Sequence, residues 1–170
     1  MEDGKWSSKR TKVRLAFPED IPFIKGLVKQ FEYMGMVLDI LPTTDYQKWF
    51  DEVYLPKFPL IGIYIIEDKE TEVPIGTFTY VIVTGIATLL ELGNFAMLKE
   101  YQLQGLASEI APFVKHLAFE VLGCDGIVAR VLLGNKPAFM ADIKAGGLQM
   151  SPPLITVVLT KEKYLEGLNE

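Results

Sequence analysis

The sequence predicts an α/β (α+β) domain with a mixed, mostly antiparallel central sheet flanked by helices, and three observations predict it. Runs rich in β-branched residues alternate with runs of helical spacing in the order β, α, α, β, β, β, α, β, α, β. Three consecutive strands form an antiparallel meander, whereas the strand–helix–strand unit over Leu89–Leu133 requires a parallel pair, so the sheet is mixed. Apolar residues make up 49% of the 170 and charged residues 23%, which suffices for one buried core and leaves little room for a second. The polar stretch 1–11 (MEDGKWSSKRT) reads as a flexible tail and 12–170 as a single domain.

Each element has a local cause. Val13–Phe17 is a short apolar run stopped by Pro18 and predicts the first strand. Pro18-Glu19-Asp20 puts proline and carboxylates at a helix start. Ile21, Ile24, Leu27, Val28 and Phe31 continue at amphipathic spacing until Gly35. Met34–Pro42 is apolar without a clear period. Thr43-Thr44-Asp45 caps a second helix carrying Tyr46, Trp49, Phe50 and Val53. Leu60–Ile66, Val73–Val83 and Ala87–Leu98 are β-like runs separated by the charged turn Glu67–Glu72 and by Thr84-Gly85, the pattern of hairpins. From Gln104 to Leu122 the apolar positions Leu106, Ile110, Phe113, Val114, Leu117 and Val121 recur at helical spacing. Pro112 inside this helix frees the Ser108 carbonyl and bends or shortens the segment. Gly126–Leu133 is a strand, Lys136–Ala145 a helix, Ile155–Leu159 the last strand and Lys161–Leu168 a terminal helical turn or two.

Charge and cysteine content exclude several classes. Seventeen Lys and Arg against 22 Asp and Glu give a net charge of −5. No basic stripe stands ready to neutralise phosphates, which argues against a nucleic-acid partner. The single cysteine, Cys124, excludes an intramolecular disulfide and a thiolate zinc site. No carboxylate–histidine cluster has metal-ligand spacing. The first residues lack the apolar core of a signal peptide, so a reduced, cytoplasmic setting is expected. Pro74–Leu90 is uncharged, but it is short for a membrane span. Its Thr77, Thr79, Thr84 and Thr88 and their β-branched neighbours suit buried strands.

The junction between the strand ending at Leu98 and the helix starting near Gln104 carries the most chemistry. Gln102-Leu103-Gln104-Gly105-Leu106-Ala107 fits the pattern Q/R-x-x-G-x-G/A. A glycine-bearing loop feeding a helix N-terminus points backbone N–H groups outward, and the helix dipole adds positive potential. The small side chain of Ala107 lets a phosphate come close, so the turn is a cradle for a pyrophosphate. The bare pattern fits equally a helix start with a packing glycine.

This segment, with Tyr101 before it, resembles motif A of the GNAT superfamily, the acyl-CoA-dependent N-acetyltransferases. A second likeness lies at Asn135-Lys136-Pro137-Ala138 followed by Lys144, Ala145, Gly146, Gly147 and Leu148. It is similar to the family's N-x-x-A…K-x-G-F signature, with Leu148 and an additional glycine as departures. In element order the resemblance covers Val13 to Leu159. It implies a sheet splayed between its fourth and fifth strands, with the pantetheine arm of acetyl-CoA in the gap. It implies further that the strand edge at Met97 and Leu98 pairs with pantetheine amides as an added strand. By the same likeness the N–H groups of Leu103, Gln104, Gly105, Leu106 and Ala107, with Gln102, hold the pyrophosphate, and Asn135 and Ala138 belong to the cofactor site.

The activity so implied is acetyl transfer from acetyl-CoA to a primary amine, of a small molecule or a protein, by direct attack in a ternary complex. An alkylammonium with pKa about 10.4 is almost wholly protonated at neutral pH, so a base must take a proton. Glu91 is the one acid within Ala87–Leu98, and histone-acetylating members of the superfamily place their basic glutamate at this distance before the motif. A carboxylate among apolar neighbours has a raised pKa, which suits a general base. The alternative is a solvated or salt-bridged strand carboxylate facing Lys or Arg on a neighbouring strand. Gly93-Asn94 is the place for a β-bulge, which shifts side-chain parity so that Glu91 and Asn94 face one side; a packing glycine is the alternative there.

Many members of the family carry a tyrosine seven residues after the asparagine, as general acid for the leaving thiolate. Here that place is Asp142. An ionised aspartate donates no proton, so water, Tyr101 or Tyr80 would have to serve. His116, on the polar side of its helix, reads as solvated, and Cys124 as a small buried hydrophobe. Tyr33–Tyr46 falls where the family joins its first two helices with an acceptor-binding segment. Met34, Met36, Val37, Leu38, Ile40 and Leu41 are an acceptor wall, a partner surface or core packing, and Asp39 and Asp45 steer a cationic amine or are simply solvated. Pairing through Ile155–Leu159 would give a homodimer. Two other readings stay open: an idle module of this fold that binds CoA or a protein partner, and an unrelated α/β binding protein in which Gln102–Ala107 is accidental.

Overall fold

Backbone pairing begins inside the stretch expected to be a loose tail. The computed structural model describes residues 6–30, 41–42, 44–131, 135–149 and 155–167. Within them β1 (Trp6–Ser7) pairs antiparallel with β2 (Thr11–Leu15), Trp6 opposite Val13. Thr11 is fully buried, with its hydroxyl 2.9 Å from that of Ser8. The tail reading is therefore corrected over residues 6–11. Composition hid this strand because a two-residue edge pairs through its backbone and needs no apolar run.

The helices form where spacing and caps predict. After a single 3₁₀ turn at Pro18–Asp20, α1 (Ile21–Val28) buries Ile21, Ile24, Leu27 and Val28; its expected stop at Gly35 lies outside the described residues. α2 (Tyr46–Trp49) is capped by the Asp45 carboxylate, which accepts from Lys48 N–H at 3.1 Å. It runs on through a wide turn at Phe50–Tyr54 and a 3₁₀ turn at Leu55–Lys57. α3 (Leu106–His116) contains Pro112 without ending there, and widens only afterwards, over Leu117–Val121. α4 (Lys136–Lys144) and α5 (Lys161–Glu166) complete the set among the described residues.

The remaining strands are β3 (Ile61–Asp68), β4 (Pro74–Thr84), β5 (Thr88–Met97), β6 (Gly126–Val131), β7 (Leu148–Gln149) and β8 (Ile155–Thr160). The eight lie in the order β1-β2-β3-β4-β5-β6-β8-β7. The sheet is mixed as expected: β2 meets β3, and β6 meets β8, antiparallel, whereas β5 and β6 run parallel. That parallel ladder runs from Leu89↔Gly126 to Leu92↔Ala129 and stops one residue before Gly93, although β5 continues to Met97. β8 lies second from the edge of the sheet. It is flanked by β6 and, over Val157 and Val158, by β7, a two-residue strand too short to read from sequence.

The chain divides into two compact units, Met1–Tyr80 with Asn94–Gln104 and Val81–Gly93 with Gly105–Glu170. In the first, Ile21, Ile24, Leu27, Phe50, Tyr54 and Ile65 belong to one buried cluster. Other strand positions are aromatic: Tyr64 stacks on Phe78 at 5.1 Å and Phe78 on Phe95 at 6.0 Å. Gly62 makes room for the Tyr80 ring, since a Cβ there would lie 2.1 Å from it. Arg14 on β2 clamps the unit through Asp20 and Glu67. In the second unit Leu90, Ile110, Phe113, Phe119, Val128 and Leu159 are buried, and Phe119 stacks on Tyr164 of α5 at 4.8 Å. No helix among the described residues is long and apolar enough to cross a membrane, and no group of three His, Cys, Asp or Glu among them is placed to hold a metal ion.

Candidate active site

After β5 the chain enters a 3₁₀ turn, Lys99–Tyr101. Tyr101 N–H donates to the Leu98 carbonyl at 2.9 Å and Gln102 N–H to that of Lys99 at 3.2 Å. Leu103 then takes φ +59°, and Gly105 takes φ +80° and ψ 6° before α3 opens at Leu106. A left-handed leucine, 86% exposed, costs of order 1–3 kcal/mol of strain, of the kind that persists where function holds it. Left-handed residues of this kind curl a loop so that its N–H groups form an anion-binding concavity. Among the described residues no acceptor meets the N–H groups of Leu103, Gln104, Gly105, Leu106 or Ala107, while those of Ser108 and Glu109 already bond to the Gly105 carbonyl.

Three side chains shape this loop. Gln102 Nε2 donates to the Met97 carbonyl at 2.8 Å, Gln104 Nε2 to the Glu100 carbonyl, and Arg10 Nη2 to the Gln104 carbonyl at 2.9 Å. The side chains of both glutamines expected at the cofactor are thus engaged in holding the turn. The strand edge is likewise narrower than expected. Leu98 N–H is spent on the Ile75 carbonyl at 2.9 Å, so Leu98 cannot donate to an added strand. Neighbouring residues of a strand send their polar groups to opposite sides, which leaves the Met97 N–H for the open edge, its carbonyl already accepting from Gln102 Nε2.

Within β5 the kink falls on Asn94 (φ +50°) and not on Gly93, because asparagine tolerates the left-handed region. Asn94 Nδ2 donates to Thr79 Oγ1 at 2.9 Å. Glu91 sits opposite Val128 in the parallel ladder and forms an ion pair through Oε1 with Arg130, two residues further along β6. The salt-bridged alternative named for Glu91 is therefore present. Glu91 Oε2 carries no hydrogen bond among the described residues. Tyr101 is half-buried, and its backbone closes the 3₁₀ turn. Tyr80 is 1% exposed and donates its hydroxyl to the Pro59 carbonyl at 3.0 Å, which removes it as a proton donor to a thiolate.

Asn135 caps α4, its Oδ1 accepting from Ala138 N–H at 3.3 Å; its oxygen is spent on the helix. Cys124 is fully buried as expected, and burial pushes its thiol up. His116 is half-buried at the end of α3 rather than fully solvated. Of the acceptor segment, Leu41 is buried, Asp45 is engaged as the α2 cap, and Met34, Met36, Val37, Leu38, Asp39 and Ile40 lie outside the described residues. Sequence reasoning missed Arg10 and Arg130. Neither has a local signal, since each reaches its partner across a large sequence separation.

Asp142 differs from its expectation. Burial pushes its carboxyl up to about 6, so near that pH it is not simply an ionised aspartate. Its folded pKa lies above the ordinary 3.8, so the native state binds more protons between these values and stability falls as pH rises through them. At 1.36 kcal/mol per pH unit the penalty is at most about 3 kcal/mol above pH ~6, reduced by partial exposure of the side chain. Asp142→Asn is expected to gain on the parent as pH is raised from about 4 to about 7 in urea denaturation. A difference that does not change with pH would contradict this.

A strand that leads through a glycine-turned loop into a helix N-terminus is an arrangement able to offer backbone amides to a phosphate. The chain belongs to the GNAT acetyltransferase family, whose domain model matches residues 10–147. None of the curated proteins matches the chain. Among solved structures it is similar to apo FdhC, a nucleotide-linked sugar GNAT, with TM-score 0.76 and 22% identity, covering 96% of this chain and 93% of that one. It is also similar to spermidine N-acetyltransferase from Vibrio cholerae in complex with CoA and spermine (TM-score 0.71, 16% identity, 91% and 98% covered). A third likeness is to ribosomal-protein-S5-alanine acetyltransferase from Vibrio fischeri (TM-score 0.70, 16% identity, 93% and 97% covered). At these identities the likeness is one of fold.

Proposed function

We propose that the protein transfers an acetyl group from acetyl-CoA to a primary amine by direct attack in a ternary complex. The observation that carries this reading is the run of backbone N–H groups at Leu103–Ala107 that meet no acceptor among the described residues, turned by Gly105 at the mouth of α3. Several unpaired donors beside a helix N-terminus suit the several acceptor oxygens and the charge of a diphosphate. Bound acetyl-CoA supplies the thioester that the amine attacks. In this chain the loop amides would hold the diphosphate, and the Met97 N–H on the strand edge would meet a pantetheine carbonyl. Glu91 Oε2, directly or through a water, would take the proton that frees the amine lone pair, while Arg130 fixes the carboxylate by its other oxygen; the new C–N bond replaces the thioester C–S bond, and the departing thiolate would take a proton from water. Two similar structures are named for amine acceptors, spermidine and an alanine of ribosomal protein S5, which agrees with an amine as the class of acceptor.

Calorimetry with CoA and a thiol-release assay over a panel of amines test the reading. Saturating acetyl-CoA at ~100 Kd should add about 2.7 kcal/mol of stability, and Glu91→Gln should cut kcat about 10²–10⁴-fold with CoA affinity retained. No heat with CoA would refute the assignment; unchanged turnover of Glu91→Gln would remove Glu91 from the mechanism. A second reading, a CoA-binding module without turnover, is favoured by Asp142 standing where the family carries tyrosine. Heat with CoA and no thiol release from any amine would select it.

A further inference from the structure

We infer that Arg10 is a positioning residue of the cofactor loop: by holding the Gln104 carbonyl it fixes the Gln104–Gly105 peptide plane and aims the Gly105 N–H at the bound diphosphate. The inference rests on the reading of Leu103–Ala107 as the diphosphate site. Arg10 Nη2 reaches the Gln104 carbonyl at 2.9 Å from 94 residues away in the chain. The bond is charge-assisted and so stronger than a neutral one. A trans peptide is planar with its C=O and N–H on opposite sides. Seizing the oxygen of Gln104 therefore settles where the hydrogen of Gly105 points, away from the guanidinium.

Such a lock has a purpose at this position. Glycine visits positive and negative φ with equal ease, so nothing intrinsic to Gly105 keeps its peptide from turning over. If it turned, a carbonyl oxygen would face the diphosphate in place of a donor. A cation on the C=O end also polarises the peptide and makes its N–H the better donor. Arg10 itself is held in register. Its backbone N–H donates to Ser8 Oγ at 3.3 Å, its carbonyl accepts from Lys69 N–H at 2.9 Å, and Lys69 Nζ donates to the Ser8 carbonyl at 2.7 Å. The short β1–β2 pairing, which composition alone reads as tail, is what delivers this side chain to the loop.

The test compares the full chain with Arg10→Gln and Arg10→Lys, titrated with coenzyme A by calorimetry and assayed by thiol release. Arg10→Gln is expected to raise Kd for CoA and KM for acetyl-CoA about tenfold while lowering kcat less than about twofold. Its melting temperature without ligand should stay within about 2 °C of the parent. Arg10→Lys, which keeps a charged donor, should recover at least half of the lost affinity on a logarithmic scale. The Gly105 amide resonance of the ligand-free protein should move in Arg10→Gln and return towards the parent in Arg10→Lys. Parent-like CoA binding by Arg10→Gln would overturn the inference and leave the cofactor reading standing. Weak binding with a lowered melting point and no recovery in Arg10→Lys would also overturn it, since that is general destabilisation. Failure of the parent protein itself to bind CoA would bring down the cofactor reading, and this inference with it.

Discussion

Gly105→Val is expected to lose coenzyme A affinity by about 100-fold or more, whereas Gly105→Asn keeps most of it. Gly105 holds φ +80° as the N-cap residue of α3. A β-branched side chain there is a genuine outlier, and relieving it rotates the peptides that flank the residue. Losing two or more correctly aimed donors to a charged acceptor, each worth ~1.5–3 kcal/mol, accounts for the size of the effect. Asparagine enters the left-handed region at modest cost and is a good N-cap, so it separates backbone conformation from side-chain bulk. Calorimetry on the two variants reads the result directly. Equal affinities for valine and asparagine would show that the conformation of this loop is irrelevant to the cofactor.

Arg14→Met is expected to cost about 3–5 kcal/mol of folding stability, as measured by urea denaturation. Arg14 donates from Nη1 to Asp20 Oδ2 at 2.7 Å, from Nη2 to Asp20 Oδ1 at 2.9 Å and from Nε to Glu67 Oε1 at 2.7 Å. The side chains of Arg14, Asp20 and Glu67 are only 18%, 6% and 14% exposed. The hydrogen bonds to Asp20, and then the one to Glu67, raise the guanidinium further above its ordinary value against the cost of burial. Methionine keeps much of the stem but strands two poorly solvated carboxylates without their cation. Arg14→Lys should recover only part of the loss, because an ammonium cannot reproduce the fork to Asp20 while also reaching Glu67. A loss below about 1 kcal/mol in Arg14→Met would mean the pair is worth no more than an exposed surface bridge.

What could be read in the sequence was what depends on near neighbours along the chain. Ile21, Ile24, Leu27 and Val28 announce α1 because helical spacing is local, and the loop from Gln102 to Ala107 announces itself because glycine at a helix mouth is local chemistry. Glu91 shows where that reach ends. Its place in the strand was legible, but whether it stood among apolar groups or against a cation depended on the β5–β6 register, which sets Arg130 two positions past its partner Val128. Asn135 and Leu98 are in the expected places, and only the fold showed that Asn135 Oδ1 accepts from Ala138 N–H and that Leu98 N–H donates to the Ile75 carbonyl.

By itself the sequence determined the order of the main elements, the mixed sheet, the glycine turn at a helix mouth and the family likeness, all consequences of pattern and composition acting over a few residues. Only the tertiary structure decided that Trp6–Ser7 is a paired strand, that β8 is flanked on both sides, that Asp142 is pushed up to about 6, and that Arg10 grips the loop. Those facts follow from long-range strand register and from burial. Neither is encoded in the spacing of any one segment, because each depends on which distant residues the folded backbone brings within hydrogen-bond distance.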